Sequence, residues 1–164
     1  MSTFQRWVIV LLLANLAATV YFGLTQPDSS SDFSEQSDKT AELPVVVSGV
    51  VRDRWFNQFR EAFNREDFDA VYDMFSPAAQ ARIDKADMYS ELRRLKKAFY
   101  QLKPDGAYSH SEFVKNLGDA QVYTLFYNVS FSERSEFGSS GTLKITIAVQ
   151  GDRLQVLGIH LMSN

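Results

Sequence analysis

The side chains best suited to acid–base chemistry in this 164-residue chain are its two histidines and a nearby glutamate. The chain contains no cysteine, which excludes disulfides, thiolate metal sites and a cysteine nucleophile. His110 and Glu112 lie two residues apart in a segment with strand-like alternation, so both point to one face. There the carboxylate could orient the imidazole or raise its pKa. Together with His160, they are the candidate catalytic residues.

The register of the strands decides where these side chains point. A two-residue turn at Gly118-Asp119 predicts that His110 lies opposite Tyr127, on the face toward the helices. A slip by one residue would reverse this orientation, and Phe113 favours the slip.

A second turn, at Gly151-Asp152, predicts that Val156 lies opposite Ile147 and that His160 lies opposite Leu143 on the same apolar face. These registers predict an aromatic ligand pocket with polar groups. Its residues are Tyr108, His110, Tyr123, Tyr127 and His160. The alternative is that the polar side chains lie at an open rim, solvated or bound to backbone groups.

No metal site and no cofactor are predicted. Two histidines and one glutamate lack the spacing of metal ligands on a helix or loop. The sequence also lacks a glycine-rich phosphate loop and a nucleophile elbow. Residues 1–44 hold five of the 20 acidic and two of the 17 basic residues, which leaves 15 of each in the remainder. Such a neutral domain lacks the basic footprint of nucleic-acid binding.

Three amphipathic helices followed by four strands are predicted to position these residues, in an α+β domain with the helices packed on a curved antiparallel sheet. The second helix begins at Asp67 as its N-cap and ends at Ser76-Pro77. The third covers about residues 85–102. The first helix carries an apolar stripe of Val47, Val51, Trp55, Phe59 and Phe63. The predicted strands are residues 107–116, 120–131, 142–150 and 153–162.

The third helix also carries a basic face, formed by Arg93, Arg94, Lys96 and Lys97. This face could contact anionic lipid headgroups or an acidic partner. The spacing favours the simpler interpretation of a solvated surface opposite the apolar stripe.

Residues 7–24 form an uncharged segment that would span about 27 Å as a helix, which predicts a transmembrane anchor. Arg6 precedes the segment and acidic residues follow it, so residues 1–6 are expected in the cytoplasm and the remainder outside it. A cleaved signal peptide is the alternative. A retained anchor is favoured because the run is longer than a usual signal core and its small residues lie mid-span.

Residues 25–44 are rich in serine and acidic residues and predict a solvated tether, which leaves residues 45–164 as the folded domain. An acidic docking motif around Phe33 is the alternative interpretation of this segment.

The helix order, the four strands and the segment DFDAVYDMFSP at residues 67–77 resemble the nuclear-transport-factor-2-like superfamily over about residues 50–162. The resemblance implies a cone in which a bent sheet wraps helices, with a cavity at the wide end. The superfamily includes ketosteroid isomerases, dehydratases, transport adaptors and membrane-tethered assembly domains such as the bitopic inner-membrane component of type IV secretion systems. The isomerase pattern of a tyrosine and two acids does not map onto this chain, so the fold decides no activity.

The sequence as a whole favours a non-enzymatic binding or assembly domain. We expect a single-pass protein of the bacterial inner membrane whose domain faces the periplasm or exterior and binds a protein partner or a second copy, but no nucleic acid. The alternatives are a small cavity enzyme or lipid-binding domain that uses the predicted pocket, and a dimerising spacer that pairs through the exposed side of its sheet.

Overall fold

A computed structural model describes residues 40–133, 135–136 and 138–163. The predicted anchor at residues 7–24 and the tether up to residue 39 lie outside the described residues. Within the described part, no helix is both long enough and apolar enough to cross a bilayer.

The helices precede the strands, as the sequence predicts. They are α1 (Gly49–Arg65), α2 (Phe68–Asp73), α3 (Pro77–Gln80) and α4 (Lys85–Phe99). The N-cap of α2 is confirmed, because the Asp67 carboxylate accepts a hydrogen bond from the Ala70 N–H at 3.1 Å.

The one-turn helix α3 was not predicted. The Ser76 hydroxyl accepts a hydrogen bond from the Ala79 N–H at 3.3 Å, and Pro77 occupies the first turn. The predicted end of the second helix at Ser76-Pro77 was therefore too late, because α2 ends at Asp73 and the Ser76-Pro77 pair begins α3, where proline is favourable.

Four antiparallel strands form one open sheet in the order β1-β2-β3-β4. The strands are β1 (Ala107–Leu117), β2 (Ala120–Ser130), β3 (Ser140–Gln150) and β4 (Arg153–Ser163). Both predicted hairpin turns are present. Their first residues, Gly118 and Gly151, have φ near +59° and +57°, which glycine adopts without steric cost. The α+β fold class is confirmed.

The predicted register of β1 was wrong, although its turn was right. Leu117 pairs with Ala120 as expected, but an extra residue at Val114 forms a β-bulge. The bulge shifts the pairing by one residue, so Phe113 lies opposite Tyr123. Because the side-chain period of a strand is two, this single insertion moves His110 and Glu112 to the face away from the helices.

The same kind of error affects β4. Val156 pairs with Ile147 as predicted, and a bulge at Leu157 then shifts the later pairs. His160 consequently lies opposite Lys144 instead of Leu143. The inward positions after the bulge belong to Ile159 and Leu161.

The core lies between α1 and the inward face of the sheet. The buried aromatic side chains of α1, which we call its aromatic stripe, are Phe56, Phe59 and Phe63. The Phe56 ring stacks on Tyr127 with centroids 5.7 Å apart, and Phe59 and Phe63 are almost completely buried. At the end of α4, the Phe99 ring stacks on Phe131 at 4.3 Å. These contacts fix the inward face of β2 against the helices.

Both edge strands receive backbone hydrogen bonds from segments outside the sheet. On β1, the Ala41 N–H donates to the Ser111 carbonyl at 2.7 Å, and the Ser111 hydroxyl donates to the Ala41 carbonyl at 2.8 Å. On β4, the Ser76 N–H donates to the Val156 carbonyl at 2.9 Å. These contacts cover part of each edge, where unpaired strands would otherwise invite aggregation.

The close approach of Phe56 to Gly106 gives a stability prediction. A Cβ atom at Gly106 would lie 2.1 Å from the Phe56 ring, whereas a Cβ atom at Gly158 would make an ordinary 3.7 Å contact with Thr146. We expect Gly106→Ala to lower the free energy of unfolding by about 1–3 kcal/mol through overpacking.

The matched substitution Gly158→Ala should leave the free energy of unfolding unchanged or raise it slightly, because it restricts the unfolded chain. Urea denaturation of the full chain in detergent, followed by tryptophan fluorescence, measures both. Equal losses in the two variants would contradict the assigned packing.

Candidate functional site

The predicted catalytic side chains lie on the outer face of the sheet, the face directed away from the helices. His110, Phe126, Lys144 and His160 form one row across the four strands. The His110 imidazole stacks on the Phe126 ring with centroids 4.3 Å apart, and the Lys144 ammonium lies 4.8 Å from the same ring. We call this arrangement the outer-face row.

Glu112 adds a carboxylate beside this row. Its Oε1 atom lies 3.7 Å from His110 Nε2, close enough for an ion pair when the imidazole is protonated but longer than a hydrogen bond. The other ring nitrogen, Nδ1, lies 3.2 Å from the Ser109 hydroxyl. His110 is thus oriented by a ring stack and a neighbouring serine.

His160 differs from His110 in its electrostatic surroundings. Partial desolvation, followed by the positive charge of Lys144, lowers the pKa of His160 below its usual value. Both effects favour the neutral form of the imidazole. A neutral imidazole can donate one hydrogen bond and accept another.

The predicted tyrosines lie on the opposite face, in the core. The Tyr127 hydroxyl donates to the Arg52 carbonyl at 3.1 Å, and burial raises the Tyr127 pKa well above its usual range. Tyr108 meets Tyr127 edge-on at 5.9 Å and carries the Arg52 guanidinium 3.9 Å above its ring. Tyr123 packs edge-on against Phe113. Tyr108 and Tyr127 thus join α1 to the sheet, whereas Tyr123 joins β2 to β1.

The five residues of the predicted ligand pocket therefore do not line one cavity. Tyr108, Tyr123 and Tyr127 pack inward, whereas His110 and His160 point outward. The physical reason is the bulges at Val114 and Leu157, which turn His110 and His160 outward, while a second register shift in β1, at Ser109, returns Tyr108 to the inward face. The sequence predicted that His110 and Glu112 point inward. In the structure, Ser111 between them is the fully buried, inward residue.

The predicted basic face of α4 is divided by local contacts. The Arg94 guanidinium binds the Glu91 carboxylate, with Nε to Oε2 at 3.0 Å. The Lys96 ammonium turns toward α1 and donates to the Asn64 carbonyl at 2.8 Å, where burial lowers its pKa. Arg93 and Lys97 are exposed. Lys96 is thus part of the helix packing and not of a continuous basic surface.

A groove of about 460 Å³ lies where the end of α1 meets the chain that follows α4. It is lined by Arg60, Glu61, Asn64, Arg65, Gln101, Leu102, Lys103, Pro104 and Ser132. The Asn64 amide fixes its wall, because it accepts from the Leu102 N–H and donates to the Leu102 carbonyl, both at 2.9 Å. No local pattern in the sequence indicates this groove, because its wall depends on a contact between two residues 38 positions apart.

An exposed cluster of Asp69, Lys85 and Tyr89 joins α2 to α4. The Lys85 ammonium lies 2.6 Å from the Asp69 carboxylate, which also accepts the Tyr89 hydroxyl hydrogen. These two hydrogen bonds, that from Lys85 first, lower the Asp69 pKa. Desolvation is the main reason that the Tyr89 pKa is raised, and its hydrogen bond to Asp69 adds to the effect. The Asp69 hydrogen bond also raises the Lys85 pKa. The cluster therefore stabilises the helix packing and does not activate a nucleophile.

Among the described residues, no group of three histidine, aspartate or glutamate side chains is arranged to hold a metal ion. Within the described ranges, the outer-face row provides no more than isolated metal-ligand atoms.

No family model and no curated protein matches the chain. Among solved structures, the chain is similar to the structure of Bdellovibrio bacteriovorus Bd1075, with a TM-score of 0.41 and 13% sequence identity. The match covers 70% of this chain and 40% of that chain. The chain thus spans less than half the length of that protein.

The Asp69 cluster predicts a pH dependence of stability. Because the Asp69 pKa is lowered in the folded state, its stabilising contribution is complete above the usual aspartate pKa of about 3.9 and is lost as the pH falls toward the folded-state pKa. We expect the urea midpoint of the wild type to fall more between neutral pH and about pH 2.5 than that of Asp69→Asn.

The control is Asp73→Asn, which removes an exposed carboxylate from the same helix. This variant should retain the pH dependence of the wild type. Identical profiles for the wild type and Asp69→Asn would refute the role of the cluster.

Proposed function

We propose that the chain is a membrane-tethered binding or assembly domain that presents the outer face of its sheet to a protein partner outside the cytoplasm. The observation that supports this proposal is the outer-face row, in which the His110 imidazole and the Lys144 ammonium lie against the Phe126 ring and His160 lies beside Lys144 on the next strand. Such a surface combines apolar contact area with hydrogen-bond donors.

The sheet gives this surface a fixed geometry. Phe126 is nearly buried between its neighbours, and His110 and Lys144 both lie against its ring. In the adjacent row, the Thr124 and Thr146 hydroxyls lie 3.3 Å apart, within hydrogen-bond reach. A preorganised surface loses little conformational entropy when a partner binds, which favours affinity.

The same geometry favours binding over acid–base catalysis. His110 and His160 lie on the first and fourth strands of the sheet, three strand spacings apart. Three spacings of about 4.8 Å separate the strands by roughly 14 Å, whereas groups that share one reacting proton need about 3 Å. This separation supports contact with a broad partner over reaction with a single small substrate.

The membrane part of the proposal rests on the sequence. Residues 7–24 are uncharged, Arg6 precedes them, and Asp28 and Asp32 follow them. This charge order supports a single-pass anchor in a bacterial inner membrane, with the domain on the periplasmic or outer side. The relationship to the nuclear-transport-factor-2-like superfamily is proposed on the same footing, from the pattern of residues 50–162.

Site-specific photocrosslinking in intact membranes tests the binding surface. A photoreactive amino acid at His110 or at His160 should crosslink the full-length protein to the same partner, identified by mass spectrometry. The same amino acid at Gln58, an exposed position on α1, serves as the control and should give no such product. The two outer-face positions should agree because they flank one surface.

Crosslinks of equal yield at Gln58, or none at either histidine, would refute the proposed surface. Release of the domain from the membrane as a shorter chain would refute the retained anchor and support a cleaved signal peptide.

A further inference from the structure

We propose that the groove at the end of α1 binds an acidic peptide segment that carries a large apolar side chain. This inference rests on the proposed function as a protein-binding domain and assigns a second recognition surface on the helix side of the sheet. The groove is distinct from the outer-face row, because its lining residues belong to α1, the segment after α4 and the segment after β2.

The groove has a fixed wall. The chain leaves α4 through Tyr100, whose φ of +59° is unusual for a residue with a side chain. The Gln101 N–H then donates to the Phe99 carbonyl at 2.7 Å, which closes a tight and strained three-residue turn. The Asn64 amide holds both backbone groups of the next residue, Leu102. Such strain persists only where surrounding contacts enforce it, so residues 101–104 form a preset edge.

The rim of the groove is positively charged. Arg60, Arg65 and Lys103 line it together with one acid, Glu61. Glu61 lies 3.4 Å from the Arg60 guanidinium and compensates that charge. Neither Arg65 nor Lys103 forms an ion pair within the described ranges of the chain. Two cations therefore remain available to carboxylates of a bound segment.

The interior of the groove suits an apolar side chain. Pro104 contributes apolar surface, with Leu102 almost completely buried behind it, and the volume of about 460 Å³ is at the small end of the range for ligand pockets. The Ser132 hydroxyl is buried there and has no hydrogen-bond partner among the described residues. A bound peptide could satisfy this hydroxyl through a backbone group, which is the usual requirement for a buried polar atom.

The chemistry of the rim favours a peptide over the other polyanions. A lipid surface is recognised by clusters of about four to eight cations, and single-stranded nucleic acid by aromatic platforms along a basic track. Among the residues that the structure describes, the lining offers three cations and no aromatic side chain. Carboxylates that flank one apolar side chain match both its charge and its size.

Fluorescence anisotropy with a defined probe tests this proposal. The probe is a fluorescein-labelled pentapeptide of sequence Glu-Glu-Phe-Glu-Glu, added to the full-length protein in detergent at low salt. We expect saturable binding that weakens about tenfold or more when Arg65→Glu and Lys103→Glu are combined, because like charges then face the probe. Replacing the phenylalanine of the probe by alanine should also weaken binding.

The matched control is Arg54→Glu, which makes the same charge reversal at an exposed position of α1 outside the groove. It should change the affinity by less than about twofold, as expected for a charge remote from an interface. The milder pair Arg65→Gln and Lys103→Gln, with circular dichroism on all variants, separates lost binding from lost folding. It should weaken binding in the same direction.

Absence of saturable binding, or equal effects of the control and groove variants, would overturn the proposal. Binding of anionic vesicles or single-stranded DNA that is lost in the same variants and exceeds peptide binding would also overturn it, by identifying another polyanion. Photocrosslinking at His110 and His160 is independent of these residues. Failure of the groove alone would therefore leave the proposed function standing.

Discussion

The burial of the α1 aromatic stripe against one face of the sheet is the interaction on which the rest of the structure depends. The core contains the α1 side chains Phe56, Phe59 and Phe63. They pack there with Tyr127 of β2 and with Phe131, which follows β2 directly. Full burial of a side chain of this size contributes about 1.5–3 kcal/mol. The chain has no disulfide to add to this stabilisation, and most of the buried apolar side chains of the strands face the helices, with Phe126 on the outer face as an exception.

This constraint explains the bulges and, through them, the position of the functional side chains. A regular β4 would direct His160 inward, whereas the extra residue at Leu157 directs Ile159 and Leu161 inward. In β1, the extra residue at Val114 brings Phe113 against Tyr123. In β4, His160 lies on the outer face because Ile159 and Leu161 occupy the inner one, whereas the inward neighbour of His110 in β1 is the buried Ser111. The outward position of both histidines is a consequence of how the two edge strands pack against the core.

The sequence predicted the elements well because their signals are local. The Asp67 cap, the turns at Gly118 and Gly151, and the strand at 153–162 each depend on a few neighbouring residues. The face to which each histidine points depends on an inserted residue, and alternation alone does not locate that residue in β1. In β4 a signal was present, since the apolar residues Val156 and Ile159 are three positions apart and not two. The groove depends on a contact between Asn64 and Leu102, 38 positions apart, which has no local signature.

The outward orientation of His160, on a domain that we propose lies outside the cytoplasm, can be tested directly by labelling. Because the chain has no cysteine, single substitutions can be labelled with a membrane-impermeant maleimide in spheroplasts. The account predicts that His160→Cys is labelled before permeabilisation and that Ser2→Cys is labelled only after it. Ser111→Cys, at a fully buried position, should react only on unfolding. Labelling of His160→Cys only after permeabilisation, or of Ser111→Cys as readily as His160→Cys, would contradict the account.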